Sequence, residues 1–127
     1  MGNKICIISA KDKVKYHAAA AIASNLVVGL IDLSEKLLME CGFERDEAGD
    51  ALAPIVWGNI KHILNNGVVE ALTGPIERGD ADTIKKHLAT ISGNDRETYI
   101  AVSRQVLEVA KRKNKDRDYS KIKETLK

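Results

Sequence analysis

The residues of this sequence that could take part in chemistry form two short polar groups within otherwise apolar stretches. The first group is Tyr16 and His17, followed by Ser24 and Asn25. On an α-helix His17 and Ser24 differ by only about 20° in direction, and the small residues between them leave room for a ligand or another backbone. A histidine can act as general acid or base because its pKa lies near neutral. The alternative is a polar contact between two packed helices.

The second group is a segment of turn-forming residues between two predicted helices. It contains Thr73, Gly74, Pro75 and Arg78. Gly74 permits backbone angles that other residues avoid and Pro75 fixes the next one, so we expect a stiff loop. Loops that display polar side chains often carry function. The alternative is a plain connection between helices, with Asp80 as the N-cap of the next helix.

No complete catalytic signature is present in the sequence. It contains no glycine-rich dinucleotide fingerprint, no phosphate-binding loop, no nucleophile elbow and no cluster of metal-ligand type. The two cysteines, Cys6 and Cys41, are far apart and fit buried thiols in a reducing cytoplasm. We therefore expect a cytoplasmic chain without a metal site.

Neither a membrane nor a nucleic acid is an expected partner. The longest apolar stretch is interrupted by Ser24, Asn25 and Asp32, and it falls short of the roughly 20 residues that a membrane span needs. From Lys111 to Lys127 there are eight Lys or Arg and three Asp or Glu, but aromatic residues that would stack on bases are almost absent there. We interpret residues 115–127 as a basic, solvated tail whose last short helix is frayed.

The elements that must position the two polar groups are predicted to be helices, in an all-α fold around one long N-terminal helix. Ser9 is a good N-cap and Gly42 a good C-terminal stop, so this helix should run to about Cys41. About thirty residues would span about 45 Å, and apolar side chains cover more than one face of the helix. Further helices are predicted over residues 46–65, 68–72, 81–91, 95–114 and 120–126.

The segment Lys4–Ser9 is apolar and β-branched on both faces, the pattern of a short buried strand. A strand needs a partner for its backbone groups, so residues 1–10 are predicted to be the end of a sheet-containing domain. The alternatives are an extended lead-in or a strand that pairs with its copy in a dimer. Residues 1–127 otherwise form one helical domain, with a kink at Pro54 and Trp57 in the core.

The two polar groups together resemble a known family. Residues 16–20 and 23–25, and then residues 72–76 and 78–80, resemble in order the two hallmarks of a helical domain of unknown function. In that family the domain follows a Rossmann-like domain in NADP-dependent oxidoreductases. Its fold is similar to the C-terminal domain of 6-phosphogluconate dehydrogenase and, more distantly, of pyrroline-5-carboxylate reductase.

The resemblance implies that the chain caps the substrate and forms a homodimer in an oxidoreductase whose NADP or NAD is bound by a Rossmann-like half. This chain lacks that half, so it is expected to bind no cofactor and to be inactive alone, and the substrate stays unnamed. A stand-alone helical dimer or interaction module without enzymatic activity is the alternative. The resemblance also places eight positions at the cleft between the two domains of such an oxidoreductase. The catalytic candidate among them is His17, and the substrate contacts are Tyr16, Ser24, Asn25, Thr73, Gly74, Pro75 and Arg78.

Overall fold

A computed structural model of the chain describes residues 7–127, and all of the regular structure in that range is helical. The helices are α1 (Ala10–Ala23), α2 (Asn25–Glu40), α3 (Arg45–Ala71), α4 (Pro75–Arg78), α5 (Ala81–Thr90), α6 (Gly93–Lys113) and α7 (Ser120–Thr125). The predicted all-α class is confirmed. The chain divides into an N-terminal unit that ends at Leu52 and a C-terminal unit, Ala53–Lys127.

The strand predicted over Lys4–Ser9 does not appear in the part of it that the structure describes. Residues 4–6 lie outside the described range, and Ile7–Ser9 have no regular secondary structure. The side chain of Ile7 is 96% exposed, so it is not packed as a buried strand residue would be.

The long N-terminal helix is confirmed at both ends. At its start, Ser9 Oγ accepts a hydrogen bond from the amide of Asp12 at 3.2 Å, which satisfies one free N–H of the first turn. At its end, Gly42 has a φ of 101° and donates its amide to Met39, while the amide of Phe43 bonds the carbonyl of Leu38. This pairing is a Schellman motif, which requires a residue that tolerates positive φ.

The same helix is broken once, at Ser24, which the sequence analysis did not predict. Ser24 has a φ of −122° and a ψ of −73°, and it separates α1 from α2. Its hydroxyl lies 2.6 Å from the carbonyl oxygen of Ala20, to which it donates a hydrogen bond. A serine hydroxyl that bonds back to the preceding turn competes with the helical ladder and bends it.

The helix pair α1–α2 buries none of its side chains. Its exposed large apolar side chains are Val14, Tyr16, Ile22, Leu26, Val28, Leu30 and Met39. By length and composition Ala10–Glu40 could cross a membrane, a span that the sequence pattern does not favour. The uncharged stretch between Lys15 and Asp32 would rise only about 24 Å, less than a hydrocarbon core of about 30 Å.

The C-terminal unit has a continuous apolar core contributed by α4, α5, α6 and α7. Its buried members are Ile76, Ala81, Ile84, Leu88, Ile100, Leu107, Ala110, Tyr119, Ile122 and Leu126. The prediction of a frayed last helix is wrong, because Ile122 and Leu126 are each only 1% exposed. Fully burying such a side chain contributes about 1.5–3 kcal/mol, enough to hold a helix as short as α7 in place.

Helix α3 confirms one predicted break and corrects the prediction for Trp57. Gly67, with φ 86° and ψ 165°, is its non-helical residue, where the turn-forming run Asn65–Gly67 predicts a stop. Pro54 lies within the helix, and the kink predicted there stays a prediction. Trp57 is not a core residue: it is 75% exposed, on a helix that also exposes Leu64. The core of the C-terminal unit is built by other helices and does not cover it.

Candidate functional site

The first polar group lies on both sides of the break in the long helix. Tyr16 and His17 are exposed residues of α1, and Asn25 is the first residue of α2. The hydroxyl of Ser24 lies 3.2 Å from Oδ1 of Asn25 as well as against the carbonyl of Ala20. Because one hydroxyl hydrogen serves both acceptors, the Asn25 amide keeps bonding capacity for another group.

The imidazole of His17 is open to solvent and makes no hydrogen bond within residues 7–127. A general acid or base needs a reacting proton within hydrogen-bond reach, and such contacts often form only when a substrate is bound. The arrangement therefore leaves His17 accessible to an incoming group. It supplies no internal partner to orient the ring.

The second polar group forms a tight turn whose backbone is set by two glycines. Gly74, with φ 99°, leads into Pro75, the first residue of α4, and Gly79, with φ 73°, ends that helix. The amide of Gly79 donates to the carbonyl of Ile76 at 3.1 Å, and the amide of Asp80 donates to the carbonyl of Pro75 at 2.8 Å. Both glycines occupy the positive-φ region, where other residues are strained.

Asp80 caps the next helix as the sequence predicts. Its carboxylate accepts the amide of Thr83 at 3.1 Å and the hydroxyl of Thr83 at 2.6 Å. These hydrogen bonds from Thr83, with a smaller contribution from the charge of Arg78, hold the pKa of Asp80 below its usual range. The Arg78 guanidinium lies 4.0 Å from Asp80 and is largely exposed, so this ion pair adds little stability.

The predicted site residues are divided between the two units of the chain. Tyr16, His17, Ser24 and Asn25 belong to the N-terminal unit, whereas Thr73, Gly74, Pro75 and Arg78 belong to the C-terminal unit. Within the first group the side chains of Ser24 and Asn25 are in contact. Within the second, the side chain of Thr73 is exposed beside the stiff turn.

An apolar groove opens beside the second group, between the end of α3 and α6. It has a volume of about 250 Å³, and its walls include Ile63, Val68, Leu72 and Val106. Leu72 directly precedes Thr73, so the groove ends next to the turn. It is small for a ligand pocket, because such pockets usually measure about 300–1,000 Å³.

Sequence reasoning missed the residues that hold the second group in place. The segment predicted as a solvated basic tail contributes Arg117 and Tyr119, which bond Glu77 of α4 together with Asn114 just before the segment. One signal for this packing was present, because Tyr119, Ile122 and Leu126 recur at helical spacing.

A histidine–tyrosine pair on the surface of the C-terminal unit was also missed. His87 Nδ1 and the hydroxyl of Tyr99 share a hydrogen bond of 2.8 Å, and the two rings meet edge to face. Burial raises the pKa of Tyr99. The spacing between α5 and α6 brings these residues together, which no local pattern indicates.

Comparison with known proteins gives one match. The family model described as a domain of unknown function, DUF2520, matches residues 1–106. No curated protein and no solved structure matches the chain. Since the family model covers most of the sequence, the chain belongs to the DUF2520 family.

Proposed function

We propose that this chain is the substrate-capping and dimerisation half of an oxidoreductase that uses NADP or NAD. Membership of the DUF2520 family supports the proposal, together with the resemblance to the C-terminal domain of 6-phosphogluconate dehydrogenase. The observation that carries it is the exposed apolar surface of α1–α2. A helix pair of this length with no buried residue needs another surface to cover it.

A second copy of the chain fits that surface. The start of the helix pair is basic, since residues 11–15 hold three Lys and one Asp. Its far end is acidic, since residues 32–40 hold three Asp or Glu and one Lys. Two copies packed antiparallel about a two-fold axis would bury both apolar faces and bring each basic end against an acidic end.

The nucleotide would be held by a separate Rossmann-like half. A dinucleotide site of that kind needs a strand that leads through a glycine-rich turn into a helix, and residues 7–127 contain no strand. The described residues therefore do not fit the cofactor themselves. Hydride chemistry belongs to the cofactor, and the role proposed for this chain is to bind and orient the substrate.

The chain's own contribution comes from its two polar groups. His17 is the candidate for moving a proton to or from the substrate. The Asn25 amide supplies both a donor and an acceptor of hydrogen bonds. Thr73 and Arg78 on the stiff turn would contact polar or anionic parts of the substrate. A stand-alone helical dimer without enzymatic activity is the second candidate, which the same exposed apolar face favours.

Sedimentation equilibrium across chain concentration tests the dimer directly. We expect a dimer for the chain and a monomer for Leu26→Asp, which places a charge on the exposed apolar face. Gln105→Asp is the matched control, because it adds the same charge at an exposed position of α6. A chain that is monomeric at all concentrations would overturn the dimerisation role. Transfer of the chain into lipid vesicles in place of dimerisation would assign the α1–α2 surface to a membrane.

A further inference from the structure

One short segment contacts the turn that displays the second polar group and also the end of α3 just before that turn. The segment is Lys113–Tyr119, which starts at the last residue of α6 and ends just before α7. The turn is Thr73–Gly79. They are far apart in sequence, and the segment lies beyond residues 1–106, which the DUF2520 family model matches.

Glu77 is the centre of these contacts. Its main-chain oxygen accepts hydrogen bonds from Arg117 and from the hydroxyl of Tyr119, both at 2.6 Å. Its carboxylate accepts the side-chain amide of Asn114 at 2.9 Å and lies 3.5 Å from the Arg117 guanidinium. The Glu77 side chain is only 17% exposed, so these polar contacts are screened less by solvent than a surface ion pair.

Lys113 holds the residues that lie just before the turn. Its ammonium group donates to the main-chain oxygen of Leu72 at 2.7 Å and to that of Glu70 at 3.3 Å. These carbonyls lie at the C-terminal end of α3, where the helix has no bonding partners of its own and where a cation is favourable. The segment thus fixes the chain immediately before Thr73.

The turn cannot hold this conformation by its own helical bonds. Helix α4 spans only Pro75–Arg78, far below the length at which a helix is stable by itself. Tyr119, the residue at the end of the segment, is 5% exposed and is part of the core. The contacts from the segment therefore tie the turn to the rigid part of the C-terminal unit.

We propose that Lys113–Tyr119 is a positioning segment that fixes the backbone of Thr73–Gly79, and so the directions in which Thr73 and Arg78 are presented. That these side chains meet a substrate rests on the proposed function; the fixing of the turn does not. The positive charges of Lys113 and Arg117 serve this internal role, which replaces the interpretation of the region as a solvated basic tail.

The test is amide hydrogen exchange, read by ¹H–¹⁵N spectra on the whole chain. The amides of Gly79 and Asp80 report on the turn because both donate bonds inside it. We expect Arg117→Gln to speed exchange at these two amides by about tenfold, as the loss of a charge-assisted hydrogen bond implies. Tyr119→Phe, which removes one hydroxyl, should do the same while leaving the core packed.

Lys115→Gln is the matched control, since Lys115 is an exposed cation of the same segment without a bond to the turn in residues 7–127. It should leave exchange at Gly79 and Asp80 unchanged. Arg117→Lys should restore most of the protection, because its ammonium group is also a donor. The amide of Leu107 in the core reports unfolding of the whole unit, so it is measured in every variant as the reference for global stability.

Unchanged exchange at Gly79 and Asp80 in both Arg117→Gln and Tyr119→Phe would overturn the proposal. So would exchange at Gly79 and Asp80 with the same urea dependence as at Leu107, because these amides would then open only when the whole unit unfolds, and the segment would only add stability to that unit. The experiment uses no nucleotide or substrate, so its failure leaves the proposed oxidoreductase role untouched. Conversely, a protein that proved to be inactive or monomeric would not change the result of the exchange experiment.

Discussion

The side chain of Arg104 donates a hydrogen bond of 2.9 Å from Nε to the main-chain oxygen of Leu126, which joins the middle of α6 to the end of α7. Leu126 itself is 1% exposed. Two contacts therefore hold the last residues of the chain: the buried side chain of Leu126, and the charge-assisted hydrogen bond from Arg104. This contact makes α7 part of the fold of the C-terminal unit.

Leu126→Ala should therefore destabilise the chain by about 2–5 kcal/mol, the usual cost of removing a buried leucine side chain. Urea unfolding followed by circular dichroism measures the change. Lys121→Ala is the matched control, because Lys121 is an exposed residue of the same helix and should change stability by less than about 0.5 kcal/mol. Equal stability of Leu126→Ala and the unaltered chain would contradict the packing of α7.

Two glycines should respond in opposite ways to the same substitution. Gly79 has a φ of 73°, so Gly79→Ala should cost about 1–2 kcal/mol. Gly58 lies inside α3 with open space around the position of an added Cβ, so Gly58→Ala should stabilise by about 0.5–1 kcal/mol. Urea midpoints of the two variants measured together test the expected difference in sign. A gain in stability for Gly79→Ala would exclude the left-handed turn.

The low pKa of Asp80 predicts a dependence of stability on pH. Because the pKa in the folded state lies below the value in the unfolded state, roughly 3.9, the stabilisation from Asp80 is present above that value. It is lost as the pH falls through the folded-state pKa. A carboxyl titration by NMR should show the low value, and Thr83→Val should raise it because the largest contribution comes from the Thr83 hydroxyl.

Thr90→Val is the control for this titration. The Thr90 hydroxyl donates to the main-chain oxygen of His87 and not to a carboxylate, so this variant should leave the Asp80 titration in place. The stability lost between neutral pH and about pH 3 should be smaller in Thr83→Val than in Thr90→Val. The same acid sensitivity in both variants would count against the proposed cap.

The features that sequence predicted well depend on neighbouring residues. Ser9 and Asp80 cap helices through amides three residues later, and Gly42 ends a helix through its own backbone angle. Such contacts are encoded within one turn, so a short pattern is enough to find them. The stop at Gly67 was found for the same reason.

The features that sequence missed depend on distant residues. Glu77 meets Asn114, Arg117 and Tyr119 across separations of 37, 40 and 42 residues. Because these contacts cannot be found from local sequence, the basic composition of residues 115–127 alone predicted a solvated tail. The prediction for Trp57 was wrong for a different reason. A tryptophan is usually buried for most of its surface, but the core of its own unit is built from other residues and does not cover it.

The role of the candidate site is a prediction, and it depends most on His17. In a parent protein where this domain follows a Rossmann-like half, His17→Ala should lower kcat by about a hundredfold or more, the usual contribution of a general acid or base. Nucleotide affinity should stay nearly unchanged, because the proposed function assigns the nucleotide to the other half. Steady-state kinetics and nucleotide titration measure the two effects separately. His62→Ala is the matched control, since His62 is an exposed histidine of α3 outside both polar groups. If the two variants lost activity equally, or if His17→Ala weakened nucleotide binding as much as turnover, His17 would have no special place in the cleft.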